Sequence, residues 1–254
     1  LTPTLRARWV RFAHPKVSAV RRRATEAPAL MATDAAPPRP TVALLLEVPA
    51  GRLSAEASRD LLHGLEAVLD HFQLHLGLRL PRIDVHAVHL DESEQESELA
   101  TDWRLLAHEV PVARGQLPAE DTAPALAEAV RESLRRHTAL FLGTQEANHL
   151  LTRASVDLPD VVKETLRALP LARVAEILRR LVEEEVAIRN LRDILETLSD
   201  AAQREKDVYA LTELVRIGLK RQLCYRHAPE GRLHALLLET SLEEMLRGAV
   251  RING

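Results

Sequence analysis

From Pro118 onward the apolar residues recur at three- and four-residue steps, a spacing that sets them on one side of successive short α-helices. Residues 125–142 carry one such stripe, with Gly143 as its candidate break. Pro159 and Pro170 each open a further helix, where the missing amide costs no hydrogen bond. The helix after Pro170 gathers Val174, Ile177, Leu178 and Leu181 on one face. The stretch "EEEVAIRNLRDILETLSD" (183–200) reads as another, with Ile188, Leu191, Ile194, Leu195 and Leu198 aligned. One more runs through Leu211, Leu214, Val215, Leu219 and Leu223. Helices this short bury their stripes by packing on one another, so this half of the chain is expected to form a helical layer.

The preceding part has a different period. "TVALLLEV" (41–48) is a near-continuous apolar run suited to a buried strand. Ser54 is a candidate N-cap, with Glu56 in the first turn. The helix it opens aligns Leu61, Leu65, Val68, Leu69, Phe72 and Leu76, and Gly77 is its candidate stop. "RIDVHAVH" (82–89) alternates like a strand, and 102–115 reads as one or two more, broken at Pro111. The order β-α-β-β predicts a helix packed on a small sheet. "RLHALLLE" (232–239) reads as a strand again, followed by a short helical pattern, "SLEEMLRGAV". One strand and one helix make a poor independent unit, so the last subdomain is expected to be partial. The fold class is therefore α+β and predominantly helical, in several subdomains.

Charge separates the first 40 residues from the rest. They hold eight arginines and lysines against Glu26 and Asp34, a net of +6, and six prolines break any long element. Three readings fit: a solvated linker, a juxtamembrane segment with Trp9 and Phe12 at an interface, or a nucleic-acid tail. The whole chain has a formal charge of -3, which excludes a general nucleic-acid binder. The acidic run "LDESEQESEL", with Asp91, Glu92, Glu94, Glu96 and Glu98, reads as an exposed loop or a patch for a basic partner. Cys224 is the one cysteine, which excludes a disulfide framework and fits a reducing setting. No apolar run approaches the roughly 20 residues that span a bilayer.

Catalytic vocabulary is thin. The chain has no Walker loop and no dinucleotide fingerprint. Cys224, between Arg221 and Arg226, reads as a packing residue at a helix end rather than a nucleophile. His71 and His75 stand at i, i+4 on a helix and are the best metal candidates, with His63, His86 and His89 as further donors. Position 72 is Phe72, so the general-base glutamate of a metalloprotease helix is missing. A metal-dependent enzyme at His71/His75 and a nucleic-acid adaptor using residues 1–40 are the two alternatives to the reading that follows.

Four blocks occur in order: "LRRHTALFLGTQEANHLL" (134–151), "DLPDVVKETL" (157–166), "LPLARVAEILRRLVEEEVAIRNLRDILETLSD" (169–200) and "ALTELVRIGLKRQLC" (210–224). Together they resemble the cytoplasmic domain of the FHIPEP family, the major export-apparatus proteins of flagella and type III secretion injectisomes. The resemblance is strong over 125–225 and looser over 41–117.

It implies a division of the chain. Residues 1–40 would be the linker after a membrane region, and 41–143 the first subdomain. The second subdomain would be much shortened near 116–124. Residues 144–202 would be the helical, ring-forming subdomain and 203–254 the start of the fourth. It also implies an inner-membrane protein with this domain on the cytoplasmic side, assembled as a nonameric ring. Such a domain is no enzyme and needs no cofactor. Its partners would be chaperone–effector complexes, stalk and ATPase-complex proteins and other export-apparatus membrane proteins, with no nucleic acid. Glu128, Arg135, Arg136, Arg189, Arg192 and Asp193 are the expected partner or ring contacts. Glu128 and Ala129 depart from the family's Thr-His, and a buried or rim carboxylate is expected at Glu128.

Overall fold

The computed structural model describes residues 40–51, 53–88, 103–117, 122–228, 230–233 and 235–253, without the side chains of 250–253. Three sequence expectations lie outside them: the basic 1–39, His89 as a further metal donor, and the acidic run that follows it.

Strand β1 (Leu44–Pro49) is the second strand of a four-stranded sheet ordered β2-β1-β3-β4. Leu44, Leu45 and Leu46 are all buried, as the unbroken apolar run requires of an inner strand. Helix α1 (Ala55–His75) is capped by Ser54, whose Oγ accepts from the Ala57 amide at 3.1 Å. It buries Leu61, Leu65, Val68 and Phe72, then stops at Leu76, with Gly77 following at φ +83°. Its crossover makes β2 (Asp84–Val88) parallel to β1. Strands β3 (Trp103–Ala107) and β4 (Val110–Gly115) complete the sheet by antiparallel pairing.

The break in 102–115 falls at His108 and Glu109, not at Pro111. Both residues have positive φ, 49° and 66°, which closes a two-residue hairpin loop whose twist suits the strands. The Glu109 carboxylate accepts from the Val42 amide at 3.1 Å and helps fix that turn. Pro111 sits inside edge strand β4, where the register with β3 shifts, a position that tolerates a missing amide.

Helix α2 (Thr122–His137) packs chiefly on α1. The stripe expected over 125–142 is thus shorter than one helix: a 3₁₀ turn, Thr138–Phe141, replaces its end. The helical layer then comprises α3 (Thr144–Asp157), α4 (Pro159–Ala168), α5 (Leu171–Glu183), α6 (Leu191–Ala201) and α7 (Val208–Gly218). Leu178, Leu181, Ile194, Leu195, Leu198, Leu211 and Val215 are buried in one hydrophobic cluster continuous with the sheet and α1. Buried Thr165 on α4 donates to the Leu195 carbonyl at 3.0 Å, joining α4 to α6.

Three further expectations are corrected. Residues 183–200 are not one helix: α5 ends at Glu183, Glu185 turns the chain at φ +58°, and α6 starts only at Leu191. The apolar spacing misled because Val186, Ala187 and Ile188 are buried in non-helical backbone. The helix through Leu211 and Leu223 is broken at buried Leu219, after which α8 (Lys220–His227) follows. Residues 232–239 pair with no strand among the described residues, and Leu236 and Leu237 stand exposed. Without a neighbouring strand the apolar run has nothing to ladder with. Helix α9 (Thr240–Asn253) follows as the sequence predicts.

Candidate docking and assembly surface

The charged residues of α2 are spent largely on one another. Arg131 donates to Glu128 through Nε at 2.7 Å and again through Nη2. Arg135 grips Glu132 with two parallel bonds, at 2.9 and 2.8 Å, and Arg136 reaches the same carboxylate at 3.5 Å. The hydrogen bonds from Arg131 and Arg135 hold the Glu128 and Glu132 carboxyls below the usual range. The same bonds push the two guanidinium groups up. Of the two expectations at Glu128, a buried or a rim carboxylate, burial is ruled out: the residue is exposed and pairs with its helical neighbour Arg131.

Arg135 also donates across to Glu185, in the turn after α5. That turn begins the segment holding Arg189, Arg192 and Asp193. Asp193 accepts from the Asn190 side chain at 2.6 Å while its amide is capped by Asn190 Oδ1, so it serves the start of α6. Arg192 pairs with Glu196 one turn on, at 3.4 Å. Arg189 is exposed, and among the described residues no ion pair holds it. Its backbone lies against Gly77, and the Ile188 amide donates to the Leu76 carbonyl at 2.8 Å. The structure therefore brings Arg135 to the Glu185 turn, while Glu128, Arg136, Arg192 and Asp193 each find partners on their own helix or cap. Among the described residues, Arg189 is the site residue for which no ion-pair partner is found.

A cleft of about 960 Å³ opens between α1, the segment after Gly77, the hairpin turn and α3. Leu69, Leu80, Leu140 and Phe141 form apolar lining, with Asp70 and Arg153 among its charged residues. This cleft was not legible in the sequence because its walls come from four separated segments. The exposed aromatics Tyr209 and Tyr225 are a second tertiary feature, and Arg180 stacks over the Tyr209 ring at 3.7 Å.

The metal candidates do not converge. His71 and His75 lie side by side, ring centroids 4.2 Å apart, but no group of three metal-capable residues exists among the described residues. Burial lowers the His71 pKa, helped by His75 and then Arg131. Cys224 is exposed, which corrects its reading as a packing residue. No helix among the described residues is long and apolar enough to cross a membrane.

Known proteins are similar to this chain in sequence and in fold. A probable translocation protein of Sinorhizobium fredii is 39% identical over 149 residues, 59% of this chain and 21% of its own length. The protein hrpC2 of Xanthomonas euvesicatoria is 36% identical over 178 residues, 69% of this chain and 26% of its own length. The chain thus spans a fifth to a quarter of those relatives. Among solved structures, the Shigella flexneri MxiA protein matches with a TM-score of 0.69 at 25% identity, over 82% of this chain and 74% of that one. The Chlamydia pneumoniae CdsV protein in its complex with CdsO gives 0.70 at 24%, over 82% and 74%. The nonameric SctV-C of EPEC gives 0.64 at 21%, over 84% and 83%; these last two likenesses speak of fold. The family profile covers residues 92–254, the hairpin and the whole helical layer whose geometry is given above, and the chain belongs to the FHIPEP family.

Proposed function

We propose that this chain is the cytoplasmic, ring-forming portion of a type III secretion export gate, receiving chaperone–substrate complexes and export-apparatus partners. The observation that carries the reading is the family match over 92–254, which takes in every helix of the layer. The nonameric state named for SctV-C and the complex named for CdsV support a ring that meets stalk and ATPase-complex proteins. In this reading residues 1–40 link the domain to an inner-membrane region, with the domain on the cytoplasmic side. Residues 41–143 form the first subdomain, with the second shortened near 116–124, 144–202 the ring subdomain, and 203–254 the start of the fourth.

A ring turns weak sites into useful affinity, because a substrate held at one subunit meets the next at high effective concentration. No chemistry is asked of the side chains; partners and the proton gradient supply the energy. Arg189 is the first choice for a subunit boundary, since among the described residues no ion pair holds its exposed charge. Such a contact sets register and partner choice more than affinity. Glu128, Arg135, Arg136, Arg192 and Asp193 are proposed as its surroundings, each already anchored.

Sedimentation velocity over a concentration series tests the assembly. A species approaching nine subunits, diminished by Arg189→Glu and retained in Arg192→Gln, is the expected result. A monomer at every concentration removes the subunit-boundary role of Arg189.

A further inference from the structure

The cleft between α1 and α3 has the outline of a slot between two helices. Helix α1 lines it with Glu66, Leu69, Asp70 and Gln73, and α3 with Glu146, His149, Leu150 and Arg153. Both sets step by i, i+3, i+4 and i+7, so each helix gives the cleft one face, two turns long. Neither helix packs chiefly on the other: α1 lies on α2, and α3 lies on α4 and α5. Buried Leu78, Leu80 and Phe141 form the floor, and Leu140 lines it while 53% exposed. The volume of about 960 Å³ matches two turns of an α-helix, ~11 Å long and ~10–12 Å across.

The charges of the cleft are sorted by wall. Glu66 and Asp70 stand exposed on α1, whereas exposed Arg153 belongs to α3 and exposed Arg79 to the segment after Gly77. Glu146 is already engaged, its carboxylate accepting from the Gly143 amide at 2.9 Å. Among the described residues no ion pair holds Glu66, Asp70, Arg79 or Arg153. An acidic wall and a basic wall are thus both open to an occupant. The end of the cleft is built with strain: His108 and Glu109 hold positive φ without glycine, and the His108 ring lies 5.7 Å from that of Phe141. No strand residue lines the cleft, so an extended peptide finds no ladder to join.

We propose that this cleft is a docking groove for one amphipathic α-helix of a partner protein. That helix lays leucine-like side chains, spaced i, i+3, i+4 and i+7, over the leucine and phenylalanine floor. It turns lysine or arginine toward Glu66 and Asp70, and aspartate or glutamate toward Arg79 and Arg153. The floor supplies affinity, while the four exposed charges set orientation and partner choice. The groove lies within one chain and goes beyond the ring reading, since it needs no neighbouring subunit.

Fluorescence anisotropy with synthetic peptides of roughly 15 residues, long enough to be helical, tests it on the full chain. One peptide carries the leucine stripe with lysines along one flank and glutamates along the other. Two controls carry lysine, or glutamate, on both flanks. The mixed-flank peptide is expected to bind one per chain, about tenfold tighter than either control. Leu140→Asp, Asp70→Lys and Arg153→Glu are each expected to weaken it about tenfold; all three positions are exposed, so the fold is spared. Arg204→Glu, exposed and outside the groove, is expected to change nothing. Equal binding of the three peptides overturns the groove as mere apolar adhesion, and so does no binding of the mixed one. Indifference to the three groove variants overturns it too. An affinity that falls as the chain is concentrated gives the cleft to a second copy and overturns the partner helix. Failure of the ring to form alters none of these outcomes.

Discussion

Ile188 donates its amide to the Leu76 carbonyl, so the segment leaving the Glu185 turn closes against the end of α1. The closure depends on Gly77, the next residue, at φ +83° and with Arg189 Cγ only 2.7 Å from where a Cβ would stand. Gly77→Val meets both left-handed strain and a backbone that cannot give way. A loss of about 3 kcal/mol is expected, measured as the shift in urea midpoint at constant slope. A change below about 0.5 kcal/mol would show that Arg189 and its neighbours relax freely.

The core and the exposed C-terminal leucines are expected to respond in opposite ways. Leu195 is fully buried on α6, the helix that packs against α4 and α7, and Leu195→Ala should cost about 2–5 kcal/mol in chemical unfolding. Leu236 is fully exposed, so Leu236→Ala should leave stability within about 0.5 kcal/mol. Equal losses would place Leu236 in a packed environment.

Acid should weaken the fold in two windows. His71 has a lowered pKa in the folded chain, so between that value and the unfolded value near 6.5 the unfolded state binds more protons. Stability therefore falls as pH drops through the region just below 6.5, and His71→Asn should flatten that slope. Glu128 and Glu132 are also depressed, so their contribution is kept above about 4.5 and lost as pH falls through their folded values. Urea midpoints taken from pH 7.5 to 3.5 for parent and variant separate the two; an unchanged slope in His71→Asn would remove the histidine assignment.

The two-histidine pair on α1 should hold no stoichiometric zinc. Metal analysis of the purified chain is expected to give well under one ion per chain, and His75→Ala to leave solution mass unaltered. One zinc per chain would restore the metal-dependent alternative.

Local signals carried much of the fold. Ser54, Pro159 and Pro170 each start a helix where their side chains predict, and the leucine run of β1 lands in the middle of the sheet. Two departures share a cause: apolar residues imitate a helix at Val186, Ala187 and Ile188, which are buried in non-helical backbone, and imitate a strand at 232–239. A turn built on Glu185 gives no glycine or proline to announce it. The same turn was the missed part of the site. Arg135 and Arg226 reach Glu185, and Arg216 reaches Glu184, only through the tertiary path of the chain.

Strand β4 ends at Gly115 and α2 begins at Thr122, so the sheet and the helical layer are joined by a very short seam. Each side of that seam is fixed independently, β4 by its ladder to β3 and α2 by its packing on α1. A chain of almost any length can be spliced between two such points, since each doubling of a loop adds only about 0.6 kcal/mol of closure entropy. The body can thus carry a whole inserted module, or do without one, while its core stays the same.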